Sequence, residues 1–204
     1  MSVSNETVSG LLARIASAAP EGGGGAAAAL TAATAAALVA MVGGIATRHA
    51  PEELELREIT AEADALRQRL TALIGLDVEA YRRVLEARCH TAAPRASAIR
   101  DAMVGATEVP LEVAAASARL LEHCVALLAP ARPSTRSDLG VAGLLAAAAL
   151  DAAALTARTN LRALEAQPFV ADAGGRLERL LERGGALRAR LSRASAGPSE
   201  RGEA

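Results

Sequence analysis

Apolar residues recur along this chain at three- and four-residue intervals, and no segment alternates apolar with polar residues between turn signals. That pattern predicts helices and no β-sheet. Val8, Leu11, Leu12 and Ile15 form the first stripe, after cap candidates near Ser4 and Asn5. Between Gly22 and Thr47 there is no charge, and the helix expected from about Ala26 is apolar on every side, as for a helix buried all round in a bundle. Pro51, Glu52 and Glu53 mark a helix start. From there Ile59, Leu66, Leu70, Leu73, Asp77, Tyr81 and Val84 lie along one stripe to about residue 88. Residues 90–97 read as a loop, and the helix from about residue 98 meets Pro110, which should kink or interrupt it before the pattern resumes to about Leu128. Residues 129–137 read as a second loop. Ser137 or Asp138 should cap a helix reaching about Glu165, and Pro168 should open a last helix to about Arg193. The expected architecture is an all-α, single-domain bundle of long helices, orthogonal or up-down, over residues 1–193, with a disordered tail at 194–204.

Composition narrows the packing. Of 204 residues 51% are hydrophobic, yet Tyr81 and Phe169 are the only aromatic ones, so the core must be built from Ala, Leu, Val and Ile in closely approaching helices. All 22 basic residues are arginine, and 23 acids bring the net charge to −1. Such a balance argues against a nucleic-acid surface and against a polybasic membrane anchor. The uncharged run is long enough to span a bilayer, but alanine is nearly indifferent to lipid, and no basic cluster flanks it. The N-terminus lacks the basic region of a signal peptide. Cys89 and Cys124 have no metal-ligand spacing and read as reduced thiols, and His49, His90 and His123 share no ligand spacing. A cytoplasmic protein with no membrane, nucleic-acid or metal partner is expected.

Candidate chemistry gathers at a few places. Gly22, Gly23, Gly24 and Gly25 run into the alanine helix, where positive φ is open to glycine and a ligand can approach the backbone closely. The N–H groups and positive dipole end of that helix suit an anion; a flexible loop before a packed helix is the plainer reading. Positive φ there would make Gly24→Val damaging. Asp77 lies on an apolar stripe, where an unpaired carboxylate is costly, so it should be paired with an arginine, bonded to the Tyr81 hydroxyl, or functional. Asp138 has a cheaper explanation as a helix cap, and Asn160 is a polar residue in an apolar helix.

The glycine run, LDVEAY (76–81), EVPLE (108–112), SDLGVA (137–142) and TARTNL (156–161) occur in the order found in the cyclodeaminase/cyclohydrolase family. That family includes the cyclodeaminase half of formiminotransferase-cyclodeaminase and bacterial methenyltetrahydrofolate cyclohydrolases, and the chain resembles a diverged member over residues 4–192. The resemblance implies an all-α homodimer acting on a tetrahydrofolate derivative, with no cofactor beyond the folate and no metal. It carries over the glycines, Asp77, Ser137, Asp138, Arg158 and Asn160. Where the family has a proline before the glycines, this chain has Glu21; where it has a lysine-rich loop, only Arg48 and His49 are basic; Thr156, Ser134 and Arg136 replace other usual residues.

What the resemblance implies for the chemistry is hydrolysis of methenyltetrahydrofolate to the formyl compound, or cyclodeamination of formimidoyltetrahydrofolate. Either step gains from a carboxylate beside the cationic carbon and from a group that moves one proton. Asp77 or Asp138 would serve the charge, Tyr81, Ser137 or His49 the proton or water. The anionic glutamate tail would suit the glycine turn or Arg48, Arg136 and Arg158. Asp77 and Asp138 are expected to face one cleft with the glycine turn, within a subunit or across a dimer. The alternative is a member that keeps the bundle without the activity, as a folate- or metabolite-binding or interaction protein.

Overall fold

A computed structural model describes residues 6–18, 23–89, 95–164 and 168–195. Its elements are α1 (Val8–Ile15), α2 (Gly24–His49), α3 (Leu54–Cys89), α4 (Arg95–Ala126), a 3₁₀ turn (Pro133–Thr135), α5 (Arg136–Arg162) and α6 (Pro168–Ser195). Among the described residues there is no strand.

Helix starts depart from the sequence reading where a specific bond decides them. Ser4 and Asn5 lie outside the described residues; the cap of α1 is Thr7, whose hydroxyl accepts from the Gly10 N–H. Pro51 sits in a turn closed by the Glu53 N–H on the Ala50 carbonyl, and α3 begins only at Leu54. Residues 95–97 belong to α4 rather than to a loop. Ser137 and Asp138 are not caps: α5 opens at Arg136 after the 3₁₀ turn, which places them in its first turn. Residues 194 and 195 are still helical, and the rest of the expected tail, 196–204, lies outside the described residues.

Pro110 does not interrupt α4. A proline has no N–H for the carbonyl four residues back, here that of Ala106. The side-chain amide of Asn160 donates to that carbonyl at 2.9 Å. The orphan acceptor is thereby satisfied from a neighbouring helix, and α4 runs on through the core, with Leu111, Val113, Ala114, Leu120 and Leu121 almost fully buried. The buried hydroxyls of Thr107 and Ser117 donate to carbonyls one turn back, so they add no uncompensated polar group.

α2 packs on α3, α5 and α4, and α6 covers α4 and α5. The contact of α2 with α3 is close at both ends. A Cβ on Gly43 would lie 2.6 Å from the Thr60 hydroxyl, and one on Gly25 would overlap the Asp77 carboxylate. Those two pairings make α2 and α3 antiparallel. Ala26, Ala29, Ala32, Ala35 and Ala36 of α2 are fully buried, as are Ala142, Ala146, Ala149, Ala153 and Ala157 of α5. Small side chains at these positions let helix axes approach closely.

α2 is nevertheless not buried all round. Thr34, Ala37 and Met41 are exposed, and on α5 so are Val141, Leu144, Ala148 and Leu155, Leu155 to 69%. Both helices are long and apolar enough to cross a membrane by length and composition, and half of each apolar stretch is buried within the fold.

Candidate functional site

A cleft of about 540 Å³ opens where the start of α2 meets the second half of α3, the first half of α4 and the end of α5. Asp77 is the one carboxylate among its described lining residues. The α2 cap residue is Gly23, which has no side chain to receive the helix's free N–H groups. Asp77 supplies that function from α3: its carboxylate accepts the Ala26 N–H. Gly25 is what lets the carboxylate in, because any β-carbon there would collide with it. The Asp77 carboxyl is pushed above the ordinary carboxylate value by desolvation, only partly offset by the Ala26 bond.

This geometry changes the reading of the glycine run. Gly22 lies outside the described residues. Gly23 is extended (φ −150°), and neither Gly24 nor Gly25 takes positive φ. A β-carbon on Gly24 would meet only the Thr156 hydroxyl, at an ordinary 3.7 Å, so the strain argued for Gly24→Val does not exist. At the helix start expected to receive an anionic ligand, the Ala26 N–H is already taken by the protein's own Asp77. Among the described residues no arginine pairs with Asp77, and its bond goes to backbone, not to the Tyr81 hydroxyl.

Tyr81 and Arg88 extend the Asp77 face of α3 along the cleft, with the buried Val84 between them as floor. From α5, Thr156, Thr159 and Asn160 form the opposite wall. Their hydroxyls donate to carbonyls one turn back, at 3.2 Å for Thr156 and 2.9 Å for Thr159, which leaves oxygen lone pairs to accept from a ligand. Asn160 reaches the cleft rim while its amide is held on Ala106.

The other candidates are elsewhere. Asp138 stands eighteen residues before Thr156 on α5, about 27 Å along the axis at 1.5 Å per residue, so within one chain it does not share the Asp77 cleft. Arg136 and Ser137 line a separate groove of about 710 Å³ with Arg188 and Leu191 of α6. Arg48 and His49 end α2, about 35 Å along that helix from Gly25; His49 is exposed, with its Nδ1 on the Ile45 carbonyl. Arg158 faces α6 and pairs with Glu178 at 2.8 Å. Because Gly24 meets Thr156, α5 runs opposite to α2, so Arg48, His49, Arg136, Ser137 and Asp138 gather at the far end of the α2–α5 pair. Among the described residues no three His, Cys, Asp or Glu side chains group as a metal site.

Arg88 and Thr159 went unnoticed in the sequence. A signal for Arg88 existed: Asp77, Tyr81, Val84 and Arg88 follow the spacing of four, three and four that keeps one helix face. Thr159 gave none, since a threonine between Arg158 and Asn160 reads as solvated surface.

Comparison with known proteins agrees with this architecture. The formiminotransferase-cyclodeaminase family model matches residues 7–179. The methenyltetrahydrofolate cyclohydrolase of Methylorubrum extorquens is 34% identical over 196 residues, covering 92% of this chain and 94% of that protein. The crystal structure of formiminotetrahydrofolate cyclodeaminase from Thermotoga maritima superposes with a TM-score of 0.89 at 22% identity, over 96% of this chain and 98% of that one. With a family match over most of its length and a full-length relative above 30% identity, this chain belongs to the formiminotransferase-cyclodeaminase family.

Proposed function

We propose that this protein hydrolyses methenyltetrahydrofolate to formyltetrahydrofolate, with Asp77 as the central residue. The observation that carries the reading is a half-buried carboxylate, unpaired by any described arginine, lining a cleft in a chain 34% identical to a methenyltetrahydrofolate cyclohydrolase. The substrate's reacting carbon sits between two nitrogens that share a positive charge. A carboxylate beside it stabilises that cation on binding and orients the attacking water. As the water oxygen bonds to carbon, Asp77 accepts one of its protons; the second passes to the nitrogen whose bond to that carbon breaks as the formyl carbonyl forms. The balance is cation plus water to neutral formyl group plus one proton. A carboxyl held above its ordinary value is the stronger base for this step. The Tyr81 hydroxyl, one turn further along α3, is suited to position the water.

The same reading includes a cytoplasmic, metal-free homodimer. Its support is the apolar stripe left open on α2 and α5, together with two cysteines that are free thiols. A twofold axis perpendicular to α2 would set the far end of one subunit against the cleft end of its partner. Asp138, Ser137, Arg48 and His49 of one subunit would then approach Asp77 of the other. Light scattering at micromolar concentration should give twice the 20.7 kDa chain mass.

The activity test is the loss of methenyltetrahydrofolate absorbance against the uncatalysed rate, with formimidoyltetrahydrofolate as a second substrate. Acceleration of the first supports the hydrolase. Ammonia release from the second alone would make the protein a cyclodeaminase. A folded, folate-binding protein that accelerates neither would be a family member without the activity.

A further inference from the structure

The cleft has opposite charges at its two ends. Asp77 and Arg88 both line it, on one face of α3, eleven residues apart. At 1.5 Å per residue the rise between them is about 16 Å, a span that the lean of helical side chains toward the N-terminus lets an arginine at this position shorten. Val84, between them, is buried and apolar. Among the described lining residues Arg88 is the one cation, and no described carboxylate pairs with it. The arginines favoured by the sequence are unavailable to this cleft within the chain: Arg158 is on Glu178, and Arg48 and Arg136 are at the far end.

A methenylfolate has matching polarity. Its cationic carbon and the carboxylates of its glutamate tail are separated by a benzoyl ring and an amide, roughly 10 Å at ordinary bond lengths. We propose that Arg88 binds the carboxylates of the glutamate tail, so that α3 measures the substrate between a carboxylate for its cation and a guanidinium for its anion. The proposal rests on the folate reading above. Guanidinium is suited to the task because it takes a carboxylate through two parallel hydrogen bonds. The apolar surface over Val84 and Met103 suits the intervening ring.

Binding, rather than turnover, tests it. Calorimetry would compare 5-formyltetrahydrofolate with 5-formyltetrahydropteroate, which lacks the glutamate, on the wild type, Arg88→Ala and Arg88→Lys. Arg88 is exposed at the end of its helix, so circular dichroism should show the same helical content in all three. Loss of a charge-assisted bidentate contact should weaken the glutamate-bearing ligand on the order of 10- to 100-fold in Arg88→Ala, with part recovered in Arg88→Lys. The glutamate-free ligand should bind wild type and Arg88→Ala alike. Equal losses for both ligands, no loss, or no folate binding at all would overturn the assignment. Its failure is separable from failure of the hydrolase reading. An enzyme that hydrolyses methenyltetrahydrofolate with Arg88→Ala binding unchanged keeps its function and loses this subsite; a protein with Arg88-dependent binding and no turnover does the reverse.

Discussion

Gly25 and Asp77 compete for one space: a β-carbon on the glycine would overlap the carboxylate that caps α2. The absence of a side chain on one helix is therefore the condition for the functional side chain of another. Gly25→Ala should force Asp77 out of the helix start, costing about 1–3 kcal/mol in a urea-unfolding measurement. The cost should shrink in an Asp77→Ala background, since the collision is then gone, and that non-additivity is the diagnostic. Gly24→Ala, facing open space to 3.7 Å, should be neutral or slightly stabilising.

Asn160 and Pro110 form a second dependent pair. Asn160→Ala leaves the Ala106 carbonyl without a donor and should cost about 1–3 kcal/mol. In Pro110→Ala the new backbone N–H can take that carbonyl, so the same Asn160→Ala change should cost far less. Denaturation midpoints of the four variants decide it; an equal cost in both backgrounds would mean that the Asn160 bond contributes nothing to α4.

Much of this was legible along the chain. Helical periodicity gave the helices, and an acid on an apolar stripe singled out Asp77. What stayed hidden depends on partners distant in sequence. Pro110 reads locally as a helix breaker because its remedy, Asn160, comes from fifty residues away. Asp138, Arg136 and Arg48 look like site residues until the antiparallel course of α2 and α5 separates them from Asp77. Arg88 was passed over because an arginine at a helix end usually means solvation. The helix-start anion site was legible as geometry, but its occupant was not, since nothing local says that Asp77 takes the Ala26 N–H.

Two groups give stability opposite dependences on pH. His123 is buried (3% exposed), beside Glu62 at 3.2 Å, and desolvation holds its pKa below the ordinary 6.5. Below 6.5 the unfolded chain takes up a proton that the native imidazole resists, so stability should fall as pH drops from 7 toward 5. His123→Gln should flatten that slope in a thermal-unfolding series. Asp77 has a raised pKa, so the native state binds its proton more tightly than the unfolded chain does, and stability is lost as pH rises through the native value. Asp77→Asn should therefore leave the protein at least as stable as the wild type at pH 7.

That separation of stability from chemistry makes Asp77→Asn the most direct test of the mechanism. Asparagine keeps an oxygen for the Ala26 N–H and the volume beside Gly25, but it can neither carry the charge nor take the proton. The measurement is kcat for methenyltetrahydrofolate hydrolysis by wild type and variant across pH. The account predicts a loss of about 100-fold or more in the variant at unchanged helical content. It also predicts that the wild-type rate falls with decreasing pH along a limb lying above the ordinary aspartate value of 3.8. A stable Asp77→Asn enzyme with kcat within a few fold of the wild type and the same pH profile would contradict the account.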